Sequence, residues 1–193
     1  MGVAERLPAR IHPTLELVLG PARSGKSRWA EHLAGSSGLG VVYVATGPEL
    51  LGDPIWQQRL TRHRQRRPET WTTLEVSEPA NLAPQLQAMA SDQVALVDSL
   101  GSWVATGLDH DDPAWDALCQ SLLASLDRLR CTLILVSEQT GWGVVPPTAI
   151  GGLFRDRLGS IERQLVARAA ATWLVVAGRA INITALSHAV PAD

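Results

Sequence analysis

The run Gly20-Pro21-Ala22-Arg23-Ser24-Gly25-Lys26-Ser27 is a complete G-x-x-x-x-G-K-[ST] phosphate-binding loop. Lys26 is the only lysine among 17 basic residues, the rest being arginine. A compact ammonium on a flexible stem reaches the bridging oxygens between the outer phosphates of a nucleotide, whereas a planar guanidinium does not fit inside so tight a loop. Backbone N–H groups of the loop and the first turn of the following helix converge on phosphate, and Ser27 offers a hydroxyl to Mg2+. These residues point to binding of a nucleoside triphosphate.

Asp98 follows Val94-Ala95-Leu96-Val97, the apolar run closed by an acid in which a P-loop protein holds its Mg2+. Capping of the next helix is the plainer use of the same aspartate. Ala45, Thr46 and Gly47 end another apolar run, where a hydroxyl and bare backbone could face the nucleotide or merely form a turn. Between Asp53, with Pro54 at the first helical position, and Pro68 lies a helical stretch that puts Trp56, Leu60 and His63 on one face. Arg59, Arg62, Arg64, Arg66 and Arg67 surround that histidine. A solvated basic face accounts for the charges. The chemically sharper reading is an imidazole kept neutral and nucleophilic by nearby cations, while the arginines neutralise charge on the phosphorus under attack.

These residues need strand ends to hold them. Five short apolar segments, 15–19, 41–45, 94–98, 132–137 and 172–177, lack alternation and read as strands covered on both faces. Helical stretches at 27–34, 54–67, 81–90, 113–130 and 150–170 separate them. The alternation predicts an α/β fold with a mostly parallel central sheet and helices on both faces. Residues 181–184 are expected as an edge strand, and 71–75 as another short one. Ligands of such sheets bind beyond the carboxyl ends of the strands, which directs attention to Gly20, Thr46, Asp98 and Ser137.

With 193 residues, 46% hydrophobic and 19% charged, the chain suits one domain with a sizeable core, expected over 14–186 between a loose extension at 1–13 and a tail at 187–193. A net charge of -2 gives no nucleic-acid footprint, and the apolar runs are too short for a membrane span. The first thirteen residues lack the apolar core of a signal peptide, so the expected location is cytoplasmic. Cys119 and Cys131 are expected as two buried free thiols.

The P-loop through Arg28, Tyr43-Val-Ala-Thr46, Arg59-Leu-Thr-Arg-His63-Arg-Gln-Arg-Arg67-Pro68, and Trp71-Thr-Thr-Leu-Glu75 together resemble the bifunctional adenosylcobinamide kinase / adenosylcobinamide-phosphate guanylyltransferase family. Val94 to Asp98, Gly141-Trp-Gly-Val-Val-Pro146, Phe154-Arg-Asp156 with Gly159, and Trp173 to Gly178 match in the same order, so the likeness spans about residues 15–183. It implies a RecA-like P-loop fold, GTP and ATP as substrates with Mg2+, a corrinoid acceptor, and a homotrimer. It further implies phosphorylation of adenosylcobinamide, then transfer of GMP through a covalent histidine that His63 would supply. The implied nucleotide site is Gly20 to Ser27, Ala45 to Gly47, Arg64, Gln65, Arg66, Arg67, Glu75 and Asp98, with Lys26 and Asp98 catalytic beside His63 and with Ser27 and Asp98 as metal ligands.

The second half departs from the family pattern. Glu138-Gln139 stands where the family has Asn-Glu, Glu162-Arg163 replaces Asn-Gln, and Gly152 replaces an arginine. Ala171-Thr172 replaces an acidic pair, and Pro147 stands where an acidic or polar residue is usual. These changes bear on the acceptor site and the kinase step. Two alternatives follow: a family member that retains GTP binding and guanylyl transfer but lacks the kinase step or uses another acceptor, and a GTP-binding regulatory protein without transferase activity. The histidine inside its arginine cluster weighs against the second, because binding alone needs no nucleophile.

Overall fold

The computed structural model describes residues 13–47, 58, 61 and 64–191. The expected helix from Asp53 to Pro68 therefore falls largely outside the described residues, and with it Trp56, Arg59, Leu60, Arg62 and His63. Residues 58, 61 and 64–66 are helical.

The elements follow in the order β1 (Leu15–Gly20), α1 (Lys26–Gly35), β2 (Gly40–Ala45), β3 (Thr72–Glu75), α2 (Leu82–Ala88) and β4 (Gln93–Asp98). After these come α3 (Leu100–Thr106), α4 (Asp112–Leu126), β5 (Thr132–Glu138), α5 (Ala149–Val166), β6 (Ala171–Val176) and β7 (Arg179–Asn182). Seven strands form one sheet in the order β3-β2-β4-β5-β1-β6-β7, parallel except for the β6–β7 hairpin. Every residue of β1 is buried, as an apolar run without alternation requires in the middle of a covered sheet.

One face is covered by α1, whose Ala30, Leu33 and Ala34 pack on Val18, Tyr43, Leu96 and Val136. The other is covered by α2 to α5 through Leu82, Leu86, Trp103, Trp115, Leu122, Leu158 and Ile161. Cys119 and Cys131 are buried free thiols, as expected, and burial raises both above the ordinary thiol range, Cys119 to about 11. Arg157 of α5 is also buried, donating to the carbonyls of Gly107 and His110 and to Asp112, and so ties α5 to the loop between α3 and α4. Among the described residues no helix is long and apolar enough to cross a membrane.

Side chains set several boundaries. Asp111 accepts from the Ala114 N–H at 2.9 Å and starts α4; Thr148 accepts from Gly151 at 3.2 Å and starts α5. Both helices end about four residues earlier than their apolar pattern predicts, at Leu126 and Val166. The edge strand expected at 181–184 is instead Arg179–Asn182, because the turn at Ala177 (φ 50°) and Gly178 (φ 76°) has two left-handed residues, the arrangement of a tight two-residue hairpin. Helix α3 has no counterpart among the expected elements. The strand expected at 172–177 runs from Ala171 to Val176, one residue earlier at each end.

Candidate nucleotide site

The loop between β1 and α1 owes its shape to its glycines. A Cβ on Gly20 would fall onto the Val175 carbonyl oxygen of β6 and lie 2.7 Å from Ser24 Oγ, and Gly25 has φ 101°. The Gly178 N–H donates to the Ser24 carbonyl at 3.0 Å, so the β6–β7 turn braces the loop from behind. Ser24 is buried, Pro21 and Ser27 are half-buried, and Ala22 and Arg23 are exposed. Lys26 is the first residue of α1 and is 5% exposed, which places its ammonium inside the loop rather than in solvent.

The sheet register gathers the other expected residues. Asp98 of β4 lies level with Ala45 of β2, and Ala45 lies level with Glu75 of β3. Gly20 pairs with Glu138 of β5. Ala45, Glu75, Asp98 and Gly20 therefore occupy the carboxyl edge of four strands, as the strand-end rule requires. Strand β5 separates the loop from Asp98, and Gly20 lies two residues further along than Asp98, so two inter-strand spacings and that offset put about 12 Å between the backbones. That gap suits phosphate oxygens and a hydrated cation.

Asp98 accepts from the Tyr43 hydroxyl at 2.7 Å. Burial, and then the Asp98 charge, hold that phenol far above its ordinary range, so Tyr43 remains a donor at any working pH. The Arg67 guanidinium lies over the Tyr43 ring, 3.3 Å from its centroid, and donates to Thr73 Oγ1 at 3.1 Å. Arg64 pairs with Glu75 at 2.8 Å and Arg66 with Glu31 of α1 at 3.0 Å. Gln65, helical and exposed, lies between these two arginines. The arginine run thus lies along α1, β2 and β3, joined to Asp98 through Tyr43. The exposed Arg64–Glu75 pair is worth about 0–1 kcal/mol, so an incoming phosphate can take over Arg64 at little cost.

Thr46 is fully buried, and its hydroxyl donates to the Ser99 carbonyl at 2.5 Å and accepts from the Ser99 N–H at 3.0 Å. It fastens the end of β2 to the segment after β4. Gly47, beside it, is a half-buried bend.

Glu138 was not among the expected site residues. Its Oε2 accepts from the Gly101 N–H at 3.1 Å, and a Cβ at Gly101 would collide with that oxygen. Burial raises the Glu138 carboxyl; the Ser99 hydroxyl and the Lys26 charge oppose that rise, and the Asp98 charge adds to it. Lys26, Asp98 and Glu138 therefore form one electrostatic cluster. The signal was available in the sequence, since Glu138 is an acid at the end of an apolar run, as Asp98 is. Next to it, Gln139 Nε2 donates to Glu162 Oε2 at 3.0 Å, so two of the positions that depart from the family pattern touch.

Residues 16–183 match the family model described as cobinamide kinase / cobinamide phosphate guanyltransferase. The chain belongs to that family. It is 42% identical over 165 residues to the bifunctional adenosylcobalamin biosynthesis protein CobP of Pseudomonas aeruginosa, covering 84% of this chain and 93% of that protein. It is 37% identical to the bifunctional adenosylcobalamin biosynthesis protein CobU of Escherichia coli, over 86% of this chain and 98% of that one. The relatives carry names of bifunctional enzymes, in agreement with the family resemblance and the enzyme class that the sequence motifs imply. The fold is RecA-like: the type III secretion ATPase EscN superposes with a TM-score of 0.53 at 14% identity, over 86% of this chain and 43% of that one. Another solved structure, of a prototypical ATPase from the type III secretion system of pathogenic bacteria, gives 0.51 at 14% identity, over 83% of this chain and 50% of that one.

Proposed function

We propose that this chain, as a cytoplasmic homotrimer, phosphorylates the hydroxyl of adenosylcobinamide with ATP or GTP. It then transfers GMP from GTP to that phosphate through a guanylyl-His63, giving adenosylcobinamide-GDP and pyrophosphate. The observation that carries this reading is the buried Lys26 within a braced P-loop, at the sheet edge where Asp98, Ala45 and Glu75 close their strands, in a chain of the cobinamide kinase family. Lys26 and the loop amides grip the phosphates, and Arg64 to Arg67 neutralise charge that develops during transfer. Glu75, freed from Arg64, contacts the guanosine moiety.

Ser27 and Asp98 fit a magnesium ion. Among the described residues no three His, Cys, Asp or Glu side chains are grouped to cage a metal, and Mg2+ characteristically takes one or two protein oxygens and completes its shell with phosphate and water. When bound it offsets charge on the outer phosphates.

His63 lies outside the described residues, but its neighbour Arg64 is tied to Glu75 at the strand ends. Incubation with GTP labelled on the alpha phosphate tests the covalent step. The expected result is acid-labile label on the wild-type protein and none on His63→Ala; unlabelled wild type or a labelled variant rejects it. Contact between Gln139 and Glu162 supports retention of the family chemistry over loss of a step. Where the family has Glu and Asn at these positions this chain has Gln and Glu, which exchanges carboxylate and amide across one hydrogen bond.

A further inference from the structure

The cluster beside the P-loop contains a second carboxylate for which the proposed nucleotide-binding roles have no use. Glu138 is the last residue of β5, in register with Gly20, and so sits one strand spacing, about 4.8 Å, from the residue that opens the phosphate loop. Its side chain is directed, not loose. Oε2 accepts from the Gly101 N–H at 3.1 Å, and the fit is close enough that any side chain at position 101 would strike it. The charged groups acting on it are Lys26 from α1 and Asp98 from β4, while Glu162 from α5 feels its charge in turn. Lys26 marks where the outer phosphates are gripped, and the strand end that carries Glu138 adjoins the loop that holds them. An acid placed against a polyphosphate repels it, and such a placement is useful when an alcohol proton lies between them.

We propose that Glu138, which stands where the family pattern has Asn, is this chain's own catalytic base for the phosphoryl-transfer step. This rests on the kinase reading given above. The acceptor hydroxyl oxygen attacks the terminal phosphorus and forms the new O–P bond. The bond between that phosphorus and the bridging oxygen breaks, and the nucleoside diphosphate leaves with its electron pair. The hydroxyl proton passes to the Glu138 carboxylate and from there to water. Burial, which raises this carboxyl, makes it a stronger base than an exposed glutamate. GMP transfer needs no such base, because its acceptor is already an ionised phosphate. The two activities of one site should therefore separate at this residue.

The experiment compares wild type and Glu138→Gln in two assays, phosphorylation of adenosylcobinamide with ATP or GTP and GMP transfer to adenosylcobinamide phosphate supplied ready-made. Glutamine keeps the length and an oxygen for the Gly101 N–H but cannot take a proton. The expected result is a fall of at least about 100-fold in the phosphorylation kcat, in the range lost with a general base. GMP transfer should fall far less, so that the ratio of the two rates shifts by at least about 30-fold. Glu138→Asp, which retains a carboxylate, should recover part of the phosphorylation. Equal losses in both assays, or phosphorylation by Glu138→Gln within about threefold of wild type, would overturn the assignment alone. A wild-type enzyme that turns over only the ready-made phosphate would overturn the kinase reading together with it.

Discussion

The hydroxyl of Thr46 donates to the carbonyl of Ser99 and accepts from its N–H, so one side chain satisfies both backbone groups of the residue that follows Asp98. Ser99 in turn accepts from the Ser102 N–H at 3.2 Å and starts α3, which carries Gly101 against Glu138. Valine has nearly the shape of threonine and neither function. Thr46→Val leaves the Ser99 N–H unpaired in a buried place, while the Ser99 carbonyl keeps the Trp103 N–H at 3.1 Å, a loss of about 2 kcal/mol. In a domain of this size that lowers Tm by about 4–8 °C, and calorimetry of the unliganded protein measures it. A change below about 2 °C would mean that Ser99 finds other partners. The residue expected to face the nucleotide thus supports reading Thr46 as the joint that holds Asp98 and Glu138 in relation to each other.

At the level of elements, the P-loop is shaped as much by β6 and β7 as by its own sequence. Gly20 has the Val175 carbonyl where a Cβ would go, and the Gly178 N–H holds the Ser24 carbonyl. Gly20→Ala forces β1 and β6 apart or the loop outward, at about 1–3 kcal/mol, and should weaken GTP binding at least about tenfold by titration calorimetry. Unchanged affinity would show that the hairpin does not set the loop. None of this brace was legible in the sequence, where Trp173 to Gly178 read only as a last strand and turn. Strand ends were legible, because an apolar run closed by Gly, Thr or Asp has few other meanings in an alternating α/β pattern. Helix α3 was not, since seven residues show too little periodicity to stand out. The pairs Arg66–Glu31 and Arg64–Glu75 join residues 35 and 11 apart, and only the packing of the arginine run along α1 and β3 brings them together. Glu138 departs from the amide of the family pattern, and its place at a strand end, like that of Asp98, is the stronger signal.

For the whole molecule, the same carboxylates that crowd the site shape its dependence on pH. Glu138 and Glu162 both have carboxyls raised above their ordinary value of 4.5, each chiefly by burial, and the charge of Glu138 adds to the rise at Glu162. A carboxyl raised in the folded state binds protons more tightly there than in the unfolded chain. Its contribution to stability is complete below the unfolded value and is lost as pH rises through the folded one. This is opposite in direction to a salt-bridged carboxylate, and it makes the unliganded enzyme less stable at neutral pH than its packing alone would give. Glu162→Gln isolates the effect at a position outside the proposed machinery, because a glutamine carbonyl can still accept from Gln139 Nε2 as Glu162 Oε2 does at 3.0 Å. The variant should melt higher than wild type at pH 8, and the gain should shrink as pH falls through the folded pKa and vanish near pH 4. A lower Tm at pH 8, or a gain that persists in acid, would mean that Glu162 is ionised and favourably held in the fold. The expected direction fits a protein that keeps charge at its working edge at the expense of stability, since phosphate chemistry needs anions, cations and proton acceptors packed closer together than folding alone would place them.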